Sequence, residues 1–446
     1  MSIKNKLHHL ITNHAGLLVV IYAVVIRFIF VVLYNTVTLF PDSEDYINLS
    51  KTVFDLTGYD GKRTPGLPVI INLFGYNLTW VVGFQLILGV MTTYFTYSIT
   101  SVLSKDKAIG FWTAIIFTSF ANVVLFDFAI LTETLTTFLL IFSIWLIVYC
   151  RLFESKTKWY FYFLLSLILT WLYLTRPFFI YVPVGFAMFF IVSSFKTNLK
   201  SVILKSTIVL SLPLLTYYMW NNHNKKTIGH FTNTTYFGIN LTQTATPFFE
   251  LAKDEHARIR DIIVRHRDSI LIHNPKLEAM SVWDAQIELL QVTNLSQKDL
   301  YFKLGDISKQ LIKDNPLLYL KQAGKSWLLF WGNQSSFYWN IEKINNVYFK
   351  QGTLIVWIYI QRYALIIFNV LFLIFAFKKI ILFLKNKMRT YDPDLFIVCI
   401  IVSGSLAQAL IAYGNNSRFC FPFFPLIVYF VINNIWSYKD VITSKK

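Results

Sequence analysis

The sequence predicts an all-α polytopic membrane protein, a bundle of about ten transmembrane helices with interfacial helices on its outer face. Three observations lead there. The 446 residues are 55% hydrophobic and 15% charged, with a mean hydropathy of +0.51; a soluble domain of that composition could not cover its apolar surface. The apolar residues come in blocks long enough to cross hydrocarbon, which takes roughly 20 residues per helix. Between the blocks, loops rich in Lys and Arg alternate with loops poor in them, the mark of segments on opposite sides of a membrane.

The predicted spans lie near 16–39, 80–102, 108–126, 129–150, 159–175, 178–195, 203–220, 353–377, 394–413 and 419–437. Gly16 to Phe40 is too long for the core of a cleavable signal and lacks a small-residue cleavage site, so it reads as the first span. With the N-terminus (Lys4, Lys6) inside, the inner loops collect Lys105, Lys107, Arg151, Lys156, Lys158, Lys196, Lys200, Lys205, Lys378, Lys379, Lys385, Lys387, Arg389, Lys439, Lys445 and Lys446. The short outer segments hold only Lys51, Lys62, Arg63, Arg176 and Arg418. Topology therefore accounts for the net charge of +17 without nucleic acid as a partner. Both termini are expected to be cytoplasmic. Cys150, Cys399 and Cys420 are scattered and form neither a disulfide framework nor a metal spacing.

Three regions follow. Residues 1–220 form a transmembrane core of about seven spans, interrupted by an acidic first outer loop at 40–79. Residues 221–352 form a long outer region of mixed charge. Within it, Asp254–Leu271 and Lys298–Leu311 look helical, and Asn315-Pro316 opens an amphipathic interfacial helix near 315–330. Residues 353–446 hold the last spans and a cytoplasmic tail.

The polar chemistry falls on the outer side. The first outer loop opens Phe40-Pro41-Asp42-Ser43-Glu44-Asp45-Tyr46. Its carboxylates can bind a cation or act as a base; equally, Asp42 or Ser43 can simply cap an interfacial helix. The loop continues Lys62-Arg63-Thr64-Pro65-Gly66-Leu67-Pro68. This reads either as a phosphate clamp or as a surface turn whose cations reach headgroups. Asp127 and Glu133 sit at the outer end of a helix hairpin, where carboxylates are paired or functional. Thr175-Arg176-Pro177 and Asn415-Asn416-Ser417-Arg418 each place an Arg at the outer interface. Arg27 and Arg362 lie near mid-span and read as structural, paired inside the bundle. The histidines His223, His230, His256, His266 and His273 are dispersed and read as surface residues.

The order of these features resembles the C-type glycosyltransferase superfold, in particular the bacterial branch related to dolichyl-phosphate-mannose–protein mannosyltransferases and to the aminoarabinose transferase of lipid A. In that family an acidic motif follows the first span, matched by Pro41-Asp42-Ser43-Glu44-Asp45-Tyr46. A basic Pro-Gly turn follows, matched by Arg63-Thr64-Pro65-Gly66-Leu67-Pro68. A second acidic motif opens the fourth span, matched by Leu131-Thr132-Glu133. A Thr-Arg-Pro turn and a C-terminal Arg-Phe…Pro…Pro stretch match Thr175-Arg176-Pro177 and Arg418-Phe419 with Pro422 and Pro425. Ser43 separates Asp42 from Glu44, so the acidic motif departs from an adjacent pair. The chain also has no large soluble C-terminal domain.

The resemblance implies a C-type transmembrane bundle and an enzyme using a polyprenyl-phosphate sugar donor with a lipid, glycan or protein acceptor. Catalysis would lie with Asp42, Glu44, Asp45 and Glu133, with Asp42 favoured as base and Glu133 orienting the acceptor or a metal. Donor phosphate would be bound by Lys62, Arg63, Arg176 and Arg418, with Tyr46 alongside. A divalent metal is left open, since such ions occur in part of the superfold. The implied setting is the bacterial inner membrane, with the active site extracytoplasmic. Two other readings stay open. An O-antigen polymerase or ligase also uses lipid-linked sugars but lacks the early acidic loop. A transporter or flippase would concentrate ionisable groups and helix breaks at midplane.

Overall fold

The computed structural model describes residues 3–154, 157–194, 199–332, 341–342, 344–389, 391–413 and 417–443, the side chains of 3–12 and 438–443 excepted. Lys156, Lys196, Lys445, Lys446, Asn415 and Asn416, and the side chains of Lys4, Lys6 and Lys439, lie outside the described residues. Every regular element described is helical, as the sequence predicts.

The first half runs α1 (Ile3–Leu33), α2 (Pro41–Lys51), α3 (Gly66–Leu73), α4 (Leu78–Ser104), α5 (Lys107–Thr118), α6 (Ala121–Asp127), α7 (Glu133–Tyr149), α8 (Trp159–Thr175), α9 (Tyr181–Ser194) and α10 (Leu199–Ile228). The unit expected on the outer side follows: α11 (Tyr236–Ala245), α12 (Ala257–His273), α13 (Ser281–Asp284), α14 (Gln286–Thr293) and α15 (Gln297–Asp314). Then come α16 (Pro316–Phe330), α17 (Val347–Val356), α18 (Arg362–Lys385), α19 (Pro393–Ile411), α20 (Ser417–Cys420) and α21 (Phe424–Thr443). Starts are set by familiar chemistry. The side chains of Asn77, Asp106, Ser296 and Asp392 accept the first free N–H groups of α4, α5, α15 and α19. Pro41, Pro316 and Pro393 occupy first-turn positions where no amide donor is needed.

Among the described residues, seven helices are long and apolar enough to cross a membrane, and eight if α5 and α6, bent by 66°, form one broken span. α7 and α8 are apolar but shorter. Several predicted boundaries move. The span expected at 16–39 ends at Leu33. Beyond it the β-branched stretch around Thr38 is extended and pairs with the chain before α7: Thr38 N–H donates to Phe128 O at 2.9 Å and Ile130 N–H to Thr38 O at 3.0 Å. That pairing also delays the fourth span, expected from 129, until Glu133. The span expected at 108–126 breaks between Thr118 and Ala121. The span expected at 203–220 continues to Ile228, and the one expected at 353–377 belongs to a helical run from Val347 to Lys385 that includes a π turn at Trp357–Gln361.

Burial orders the bundle. Within the span Asn13–Leu33 only 22% of the apolar window is buried by protein, against 67% in Ser417–Ser437. The first helix is therefore peripheral and α21 central, so the residues just before α21 enter the middle of the bundle. α7 runs away from Glu133 and α8 runs towards Arg176, which puts both residues at one end. At the opposite end, a cavity of about 450 Å³ is lined by Leu103, Ile147, Arg151, Ser193 and Arg389, so loops predicted to share the inner side do meet.

Arg27 is paired inside the bundle as expected. Its Nε donates to Asp127 Oδ2 at 3.0 Å and its Nη1 to Thr118 Oγ1 at 3.0 Å, while Thr134 Oγ1 donates to Asp127 Oδ1 at 2.9 Å. Asp127 is thereby a structural partner. Arg27→Met strands a buried carboxylate and is expected to destabilise the protein by about 3–5 kcal/mol. Arg27→Met combined with Asp127→Leu removes both charges and should cost less. Denaturation of the three proteins in detergent checks that order.

The outer unit has its own core, including Ile239, Phe249, Ile263, Val282, Leu300 and Leu304. α11 and α15 cross so closely that a Cβ on Gly238 would lie 1.9 Å from Tyr301 O. The interfacial helix predicted near 315–330 is α16, and Leu317, Leu320 and Leu328 are exposed along it. α16 grips the end of α19: Tyr319 OH donates to Leu410 O at 2.8 Å, Ser326 Oγ to Ala412 O at 2.6 Å and Trp327 Nε1 to Ser405 Oγ at 3.0 Å.

Candidate functional site

α2 begins where the extended stretch after α1 ends. Phe40 N–H donates to Ser43 Oγ at 2.9 Å, and Ser43 Oγ donates to Ile130 O at 2.8 Å. Neither Asp42 nor Ser43 is the N-cap the sequence offered: that position is Phe40, and Ser43, in the first turn, accepts its backbone N–H. The same bonds clamp the start of α2 against the stretch leading to Glu133. Helical spacing then divides the acidic motif. Positions 42, 45 and 46 share a face, and Asp42, Asp45 and Tyr46 all reach Arg63. Glu44 lies off that face and is exposed, so of the four predicted carboxylates it is the one not brought into the cluster.

The turn carrying Arg63 is fixed from two sides. Tyr59 OH donates to Arg63 O at 2.9 Å. Gly66 packs against the end of α8, where an added Cβ would lie 2.5 Å from Thr175 N and Cα. The two predicted Arg turns are thus held together through a contact only glycine permits. Gly66→Ala is expected to push the turns apart and lower stability by about 1–3 kcal/mol, read as a drop in unfolding midpoint in detergent. A variant matching wild type would show that the turns move independently.

The result is a chain of alternating charges. Lys62 Nζ lies 3.9 Å from Asp45 Oδ1, with a closer contact of 3.0 Å to Asp60. Arg63 bridges two acids, Nε to Asp45 Oδ2 at 3.1 Å and Nη2 to Asp42 Oδ1 at 2.9 Å. Arg418 also bridges two, Nη1 to Asp42 Oδ2 at 3.1 Å and Nε to Glu133 Oε1. Arg176 Nη2 completes the chain on Glu133 Oε1 at 2.8 Å. The Asp42 and Glu133 carboxylates share one guanidinium, well inside the separation of about 10 Å expected for groups acting on one bound ligand.

The cluster has depth. Glu133 is fully buried, whereas the Asp42 side chain is 35% exposed. Burial raises the Asp42 carboxyl, but the Arg418 and Arg63 charges outweigh it and hold its pKa at about 2. Both acids sit in the first turn of a helix, where backbone dipoles favour negative charge. Among the described residues, Glu133 Oε2, Thr132 Oγ1 and Arg176 Nη1 are buried without a hydrogen-bond partner. Buried polar atoms are rarely left so; Arg27 Nη2, in the Arg27–Asp127 pair, is another.

The sequence reading missed Tyr236. Its hydroxyl donates to Asp45 Oδ2 at 2.8 Å, and its ring and that of Tyr46 both lie 4.8 Å from the Arg63 guanidinium. Phe419 flanks Arg176 in the same way at 5.2 Å. No local signal marks Tyr236, which sits in a region without a motif. As for a divalent cation, the carboxylates are interleaved with guanidinium groups instead of converging. Among the described residues no group of three or more His, Cys, Asp or Glu is placed to hold a metal ion. This donor set does not fit one.

No family model matches the chain, and no curated protein or solved structure is significantly similar to it.

Proposed function

We propose that this chain is a C-type, membrane-embedded glycosyltransferase that moves a sugar from a polyprenyl phosphate to a hydroxyl of a lipid, glycan or protein acceptor on the extracytoplasmic face. The supporting observation is the charge chain Asp45–Arg63–Asp42–Arg418–Glu133–Arg176, drawn from five separated stretches of sequence. Glu133 Oε2 and Arg176 Nη1 are left without a hydrogen-bond partner, so a ligand has atoms in this network to engage. The basic-loop asymmetry supports the outer placement, and the apolar bundle supplies the lipid surroundings a polyprenyl chain needs.

In the proposed reaction the acceptor oxygen attacks the anomeric carbon from the face opposite the phosphate. The new C–O bond forms as the bond from that carbon to the phosphate oxygen breaks, and the leaving polyprenyl phosphate keeps the electron pair. The acceptor's proton passes to Asp42. Arg63, Arg176 and Arg418 stabilise the charge that grows on the phosphate, and Glu133 orients the acceptor from below. In the resting chain these guanidinium groups are engaged by carboxylates, so the donor phosphate must displace a carboxylate from them. That exchange frees Asp42 to act as a base only when the donor is present, which limits attack by water in its absence.

The test uses the purified chain in nanodiscs with polyprenyl-phosphate sugars. Acceptor-dependent release of polyprenyl phosphate, lost in Asp42→Asn, is expected. Movement of the intact donor across the bilayer without bond cleavage would instead identify a flippase. Reporter fusions placing Pro41–Tyr46 in the cytosol would overturn the sidedness.

A further inference from the structure

The charge chain ends at Asp45, and beyond it lies an aromatic group that the proposed chemistry leaves unused. Trp283, on α13 of the outer unit, sits 5.7 Å from the ring of Tyr236 and 6.1 Å from that of Tyr301. The two tyrosine hydroxyls are engaged, Tyr236 donating to Asp45 and Tyr301 to Gln286 at 3.1 Å. The Trp283 indole N–H has no hydrogen-bond partner among the described residues. The residue is partly exposed while its neighbour Val282 is fixed in the unit's core. A partly open indole with an available donor at its edge thus stands beside the Asp45 end of the charge chain.

We propose that Trp283 and Tyr236 form the platform on which a carbohydrate acceptor docks. A pyranose presents a face of C–H groups that packs on an aromatic ring, and its hydroxyls reach donors at the ring edge. The surroundings favour a sugar over other occupants. An anion would be drawn to the arginines instead, and an acyl chain would leave the Trp283 N–H unpaired. The sugar's role as acceptor rests on the transferase reading; the stacking surface does not.

The test is saturation-transfer NMR on the full chain in nanodiscs, since alkyl-glycoside detergents would occupy the surface, with a panel of free disaccharides as probes. Saturation should reach the ring C–H protons of at least one disaccharide. Trp283→Ala should abolish that transfer. Trp283→Phe keeps an aromatic ring against the core while removing the N–H and part of the stacking surface, so it should fold and show weakened transfer. Equal signals in wild type and both variants, or no signal from any saccharide, would overturn the platform. In the transfer assay, Trp283→Phe should raise the acceptor KM several-fold and leave the donor KM unchanged. An unmoved acceptor KM in an active enzyme removes the platform and keeps the transferase. Trp283-dependent saccharide binding in a chain that never cleaves the donor does the reverse.

Discussion

Asp42→Asn is expected to lower sugar transfer by about 10²–10⁴-fold, the range for losing a positioned general base, with the donor KM unchanged or lower. The substitution keeps the side chain's size but has one acceptor oxygen, so it keeps the hydrogen bond from either Arg63 or Arg418 and loses the other. It cannot take a proton, and it competes less strongly with phosphate for those guanidinium groups. A pH profile adds a second readout. In the free protein burial raises the Asp42 carboxyl, but Arg418 and Arg63 bring it down to about 2, below the ordinary aspartate value of 3.8. A depressed folded-state value means that the ion pairs contribute stability above pH 3.8 and lose it as pH falls towards 2. Donor phosphate, by taking the guanidinium groups, should raise the carboxyl in the complex. The acid limb of kcat, which reports the complex, should therefore lie above that of kcat/KM, which reports the free enzyme. Coincident limbs would mean that phosphate does not displace the carboxylate.

Much of the cluster was legible because order along the chain and side of the membrane constrain each other. Asp42, Glu133, Arg176 and Arg418 each lie at or near the end of a predicted span, Arg63 lies in the loop that Asp42 opens, and the basic-loop asymmetry assigns all five to one side. Choosing among Asp42, Glu44 and Asp45 needed only the start of α2. With Pro41 in its first turn, helical spacing turns Asp42 and Asp45 one way and Glu44 another. Span ends were less legible, because tertiary pairing sets them. Composition continues the first apolar block past Leu33, but hydrogen bonds from Thr38 to Phe128 and Ile130 stop the helix. Tyr236 was out of reach. It meets Asp45 across a separation of 191 residues from a unit with its own hydrophobic core, so nothing near it in sequence points to its partner.

Arg418→Ala should produce the other large loss, about 10²–10³-fold in transfer, and Arg418→Lys should not restore it. The reason is geometric. Arg418 uses two different nitrogens to hold Asp42 and Glu133, and a planar fork can hand the same pair of donors to two phosphate oxygens. An ammonium is a compact charge with no such fork. The residue also enters at the start of the most buried span, where few other groups can substitute for it. A merely structural role predicts lower stability with unchanged kinetics in the folded fraction; a phosphate-binding role predicts weaker inhibition by the product, polyprenyl phosphate, in that same fraction. Coupling separates the two further. If Asp42 and Arg418 act on one phosphate-triggered step, Arg418→Ala in an Asp42→Asn background should cost far less than it does alone, because the step is already lost. Strict additivity of the two losses, or full activity with lysine at 418, would show that the shared guanidinium is a strut and that phosphate is bound elsewhere.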